Sequence, residues 1–253
     1  MGYIGKKPTD APLTSSDIAD GIISTADLAN TAVTGAKVNT DVISAQTALT
    51  AEPADTDEFL VSDAGVIKRI DYSLIKGGGG LVLLSHTTIS SSTASAAFTS
   101  GIDSTYDAYK FVLSGVRPVT DDVDFHLLFS VDGGSSYLGG GYKYSVTARD
   151  SGANVEDGSS DSASFILLTG DDVGNESDES FNAEMVLYHP SNTAFHKQIA
   201  FQGVYYDHAS LPNYLLGMGA NSGSVAAVTG IKFQFASGNI AEGSFTMYGI
   251  AKA

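Results

Sequence analysis

Along residues 81–253, apolar and aromatic side chains recur in runs of strand length, and several runs alternate with polar positions at a period of two. Phe181, Ala183, Met185 and Leu187 form one such series, and Phe245, Met247 and Gly249 another. The runs that predict strands are 81–84, 109–113, 125–131, 142–146, 165–168, 181–188, 198–206, 214–218, 231–235 and 245–250. Turn-forming clusters separate them: Asp132-Gly133-Gly134, Asp171-Asp172, His189-Pro190-Ser191-Asn192, Asn221-Ser222-Gly223 and Ser237-Gly238-Asn239. Roughly eight to ten strands with no helical stretch between them predict a two-sheet, jelly-roll-like β-sandwich. A segment of about 170 residues is long enough to bury its own core.

The pattern before residue 81 is different. Residues 12–51 fall into decads, in which Leu13, Ile23, Val33 and Ile43 align, as do Ile18, Leu28 and Val38. Thr14, Ser24, Thr34 and Ser44 form a hydroxyl column, and the fourth copy decays after Ser44. Each decad reads as one hydroxyl-capped helical turn around an apolar residue, followed by an extended link. So few apolar residues cannot bury a core alone, so the repeats must pack on neighbours or on other chains. Two other readings stay open: a heptad seam through Ile22, Ala26, Ala29, Val33, Ala36, Thr40 and Ile43, or a Thr/Ser-rich linker. Phe59 and Val61, then Val66 and Ile70, flank Ser62-Asp63-Ala64-Gly65 and predict a β-hairpin, with a short helical turn at 71–75 and a hinge at Gly77–Gly80. The expected organisation is therefore a docking peptide over 1–11, a repeat arm over 12–51, a hairpin and hinge over 52–80, and a β-sandwich head over 81–253. The fold class is all-β throughout.

Composition narrows the function. The formal net charge is −16, with only 13 Lys and Arg, so neither nucleic acid nor an anionic membrane surface is an expected partner. No stretch approaches the ~20 apolar residues of a membrane helix, so membrane insertion is not expected. The opening MGYIGKKPTDAPL lacks the apolar core of a secretory signal, and Lys6 stands where a myristoylation motif needs Ser or Thr. Assembly in a cytoplasm is the expectation. With Cys 0, no disulfide or thiolate chemistry is available.

The candidate chemistry is thin. His86, His126, His189, His196 and His208 show no zinc-helix spacing, although His196 and His208 could meet across a strand pair with Asp207. There is no G-x-S-x-G elbow, and Gly133-Gly134-Ser135 lacks the Lys and helix of a phosphate cradle. Acidic stretches 150–158 and 171–179 read as solvated loops without a calcium-loop register. No cofactor, metal or catalysis is expected. One cluster reads two ways: Tyr205, Tyr206, Asp207, His208 and Tyr214 are the residues of a glycan- or partner-contacting patch, or of a strand end packing its tyrosines into the core.

The opening Gly2-Tyr3-Ile4-Gly5-Lys6-Lys7-Pro8, the decads at 25–29 and 34–38 and the segment 54–63 resemble the N-terminal portions of bacteriophage fibre and appendage proteins. Phe129–Gly134 and Phe245–Ile250 are similar, more generally, to distal β domains of phage fibres. The resemblance implies a homotrimer whose proximal arm docks through Tyr3, Ile4, Lys6 and Pro8 on other virion proteins, either a tail adaptor or tube or the capsid. The head would face outward for host attachment, its surface glycan a candidate receptor. A capsid decoration role, a glycan-degrading tailspike and a bacterial adhesin are the competing readings.

Overall fold

A computed structural model describes residues 18–30, 32–39, 41–76 and 80–251. The chain divides into two units, residues 1–73 and 74–253. Tyr3, Ile4, Lys6 and Pro8 of the expected docking peptide, Leu13 of the repeats and Gly77–Gly79 of the expected hinge lie outside the described residues.

In the first unit, short 3-10 turns at Thr25–Asp27 and Gly35–Lys37 stand ten residues apart, and a helical turn, α1 (Asp41–Ser44), follows. At Ser24 the cap differs from expectation. The Ser24 N–H and Oγ–H both donate to the Asp27 carboxylate, at 2.9 and 2.7 Å, and these bonds hold that carboxyl below its usual range. α1 arrives earlier than the ten-residue spacing would place a third turn, where the sequence register also decays.

A hairpin of β1 (Glu58–Asp63) and β2 (Val66–Asp71) comes next, paired from Glu58–Asp71 to Asp63–Val66. Its two-residue loop has positive φ at both Ala64 (49°) and Gly65 (84°), the mirror-image turn that matches strand twist. Gly65 adopts that conformation freely. A single turn, α2 (Tyr72–Ile75), closes the segment at the unit boundary. No described residue of 18–73 is buried. Ile18, Ile23, Leu28, Val33, Val38 and Ile43, the described members of the apolar decad columns, are all exposed, as are Leu60 and Ile67 of the hairpin.

The second unit is all-β, antiparallel and sandwich-like. Its strands are β3 (Leu81–Ile89), β4 (Ala96–Phe98), β5 (Ala108–Pro118), β6 (Phe125–Ser130), β7 (Tyr142–Asp150), β8 (Val155–Ala163), β9 (Ile166–Leu167), β10 (Phe181–Tyr188), β11 (Lys197–Tyr206), β12 (Pro212–Asn221), β13 (Gly230–Phe235) and β14 (Ile240–Ile250). One sheet runs β3-β14-β5-β10-β11-β12-β7-β8 and the other β4-β13-β6-β9.

The small sheet covers one face of the large one, and aromatic rings fill the space between them. Phe125 of β6 lies 5.1 Å from Phe181 of β10, and Phe111 of β5 lies 6.2 Å from Phe233 of β13. Burial follows the period-two pattern: Phe181, Ala183, Met185 and Leu187 are all buried, and so are Phe245 and Met247. On β12, Gly217 and Gly219 leave room for larger neighbours. A Cβ there would fall 2.3 Å from the Phe201 ring and 2.6 Å from Ile166.

Two elements correct the sequence reading. The acidic stretch 150–158 is not a solvated loop, because Val155–Ala163 forms edge strand β8, paired with β7. It carries little hydrophobic signal because an edge strand is kept polar and charged, which discourages further pairing. The other, β4, is too short at Ala96–Phe98 to show a period.

Candidate interaction surface

Strand parity divides the sequence-flagged cluster. Ile199, Phe201 and Tyr205 of β11 point to the core, so Tyr206 points outward. Tyr205 is 1% exposed, and its hydroxyl accepts the Asp171 N–H at 2.9 Å. Burial, more than any neighbouring charge, raises its phenol above the ordinary value. Tyr205 is thus a core residue.

Asp207 is buried as well, at 2% exposure. Its carboxylate accepts the N–H groups of Ala209 (2.9 Å) and Leu211 (2.8 Å) and the Asn213 side-chain amide (2.9 Å). It fastens the β11–β12 turn, in which Ser210 holds a φ of 58°. His208 lies beside it in the turn, with Nδ1 3.1 Å from Asp122 Oδ1. His196 precedes β11 while His208 follows it. Ten extended residues, roughly 33 Å, separate them, so they do not meet around Asp207.

The second acidic stretch is also not free in solvent. Val173 bridges to Val123 and Asp207 and is fully buried. Glu179, 4% exposed, accepts the Glu176 N–H at 2.8 Å and the Ser210 hydroxyl at 2.7 Å. Partial burial and the nearby Asp124 and Asp122 push the Asp172 carboxyl up to about 6. The folded state therefore holds a proton here that the unfolded chain releases near its ordinary 3.8. Stability from this group is greatest below about pH 4 and is lost as pH rises toward 6. Asp172→Asn should accordingly raise the melting temperature at pH 7, and the gain should shrink to nothing as pH falls to 4. Solvent screening at this half-exposed site holds the gain to about 1 kcal/mol. Thermal melts of both proteins across that range check it.

Among the described residues, no group of three or more His, Asp or Glu is placed to hold a metal ion. His126 is buried and stacked 3.6 Å from the Phe165 ring, and its Nε2 has no hydrogen-bond partner. His86 bonds to Thr246 Oγ1 at 2.8 Å.

One exposed apolar face is a feature that sequence reasoning missed. The outer face of the large sheet carries Val186 and Tyr188 on β10, Ala200, Val204 and Tyr206 on β11, and Tyr214, Leu216 and Met218 on β12. Val204, Tyr214, Leu216 and Met218 are each more than half exposed. Register sets them side by side: Val204 opposite Tyr214, Gln202 opposite Leu216, Ala200 opposite Met218. A shallow groove of about 460 Å³ runs past Val112, Glu184, Gln202, Val204 and Tyr214.

The signal was present in the sequence. Met185-Val186-Leu187-Tyr188 and Tyr214-Leu215-Leu216 are apolar at both parities, the pattern of strands covered on both faces. Tyr206 and Tyr214 of the flagged cluster therefore belong to this face, apart from buried Tyr205 and Asp207. No family model matches the chain, no curated protein is similar to it, and no solved structure matches it.

Proposed function

We propose that the chain is a structural, non-enzymatic fibre subunit of a bacteriophage virion. Its N-terminal arm docks on other virion proteins and its jelly-roll-like head is presented for attachment to the host surface. The observation that carries this reading is the coreless arm. A described segment of 18–73 with no buried residue, and with its apolar columns exposed, cannot be stabilised by its own packing. It is suited to lie against other chains. The head, by contrast, holds a large aromatic core of its own.

The resemblance of residues 2–8 and of the decads to phage appendage proteins supplies the virion context and the homotrimer. Weak contacts by the head would be multiplied by copy number. Tyr206 and His208, exposed near the β11–β12 turn, are its candidate receptor contacts, with Tyr214 beside them on the outer face. A capsid location with no receptor role uses the same arm.

Deleting residues 1–80 tests the proposal. The head should keep its melting temperature within a few degrees, while incorporation into particles should be lost. A deleted chain that still assembles onto particles would sink the docking role.

A further inference from the structure

We propose that the apolar outer face of β10, β11 and β12 packs against a second copy of this chain, so that the heads of an assembled particle touch through it. The inference rests on the subunit reading above in supposing that copies assemble, and it adds the surface by which they do so.

Three observations select this occupant. The first is pattern. β10 and β12 carry apolar side chains at both parities, yet the small sheet covers only the inner face. Val186, Leu216 and Met218 therefore sit on a sheet surface built for burial that the small sheet leaves open.

The second is charge. The chain carries a formal net charge of −16, so most ways of bringing two copies together are repulsive. The outer face is an exception. Across β5, β10, β11, β12 and β7 its only acid is Glu184, which is ion-paired to Lys110 at 2.5 Å and bonded by Gln202 at 2.9 Å. Exposed Lys143 and Arg149 of β7 flank the apolar patch, opposite Ala220 and Tyr214. The face thus lacks the negative charge that opposes contact between copies elsewhere on the chain.

The third is extent. Strands ~4.8 Å apart and residues ~3.3 Å apart give the three-strand apolar patch roughly 14 by 20 Å in plan, and the face widens to roughly 24 by 20 Å with flanking β5 and β7. The accessible area of that five-strand face is larger than its plan and approaches the ~800 Å² per partner of a standard protein interface.

A sugar fits the centre of the face less well, because the amides there, Asn182 and Gln202, are already hydrogen-bonded within the chain. Asn182 Oδ1 accepts the Gly115 N–H at 2.8 Å, Asn182 Nδ2 donates to Ser180, and Gln202 donates to Glu184. The apolar centre of the face, Val186, Val204, Leu216 and Met218, is what the copy–copy contact would cover.

The chain has Cys 0, so a single introduced thiol reports one position cleanly. In full-length protein, Met218→Cys should react with a maleimide at least tenfold more slowly at high protein concentration than after dilution to the monomer. Val119→Cys, on an exposed turn away from the face, should show no such change. Light scattering on the same samples reports the mass. A multimer in which Met218→Cys labels as fast as Val119→Cys would overturn the inference and leave the subunit reading standing. A chain that stays monomeric at all concentrations, with Met218→Cys freely reactive, would count against both. Protection that persists in the monomer would also overturn it, because the cover would then belong to the chain itself. Leu216→Glu with Met218→Glu should lower the mass at a given concentration without lowering the melting temperature, since both side chains are half exposed.

Discussion

Tyr205→Ala is expected to cost the head about 4 kcal/mol, whereas Tyr206→Ala, one residue along, should cost under ~1 kcal/mol. The two positions share a side chain and a strand and differ only in the face they occupy. Tyr205 is 1% exposed and lies 6.1 Å from the Phe181 ring. Its truncation would open a cavity between the sheets and strip the Asp171 N–H of its acceptor. Tyr206 is 40% exposed and loses only surface packing. Chemical denaturation midpoints of the two variants decide the matter, and comparable losses would mean the β11 register is wrong. The cost at Tyr205 is a large share of the ~5–15 kcal/mol that stabilises a typical domain.

Asp207→Ala should lose about 3 kcal/mol or more by the same measurement. Its carboxylate is the shared acceptor for two backbone N–H groups and the buried Asn213 amide, so removal costs the turn both backbone bonds and leaves that amide only the Leu211 carbonyl. Asp207→Asn keeps the shape but retains only one acceptor oxygen and should recover part of the loss. If Asp207→Ala melts like the parent, the turn is held by something other than this carboxylate. Both variants bear on function. An attachment assay that loses signal on Tyr205→Ala or Asp207→Ala would be reporting the fold of the β11–β12 end, and His208→Ala or Tyr206→Ala are the informative changes there.

Much of the head was legible because its strands are long apolar runs bounded by turn residues. β10 was bounded correctly at Phe181–Tyr188, and the hairpin at Ala64-Gly65 was visible from its turn residues. β8 was not legible, because its pairing with β7 rests on backbone hydrogen bonds rather than on an apolar series. The flagged cluster was chosen by chemical type, and counting parity from Phe201 would have sent Tyr205 inward and Tyr206 outward.

Local sequence determined the strand periodicity, the turns, the absence of thiols and the shortage of core-forming residues before residue 74. Each of these depends on side chains a few positions apart. Only the tertiary structure decided that the β4-β13-β6-β9 sheet covers one face of the large sheet and leaves the other open, and that Asp207 is a buried fastener. Burial is set by segments far apart in sequence. Phe125 meets Phe181, Val173 meets Val123 and Asp207, and no local pattern specifies which strands will lie over which.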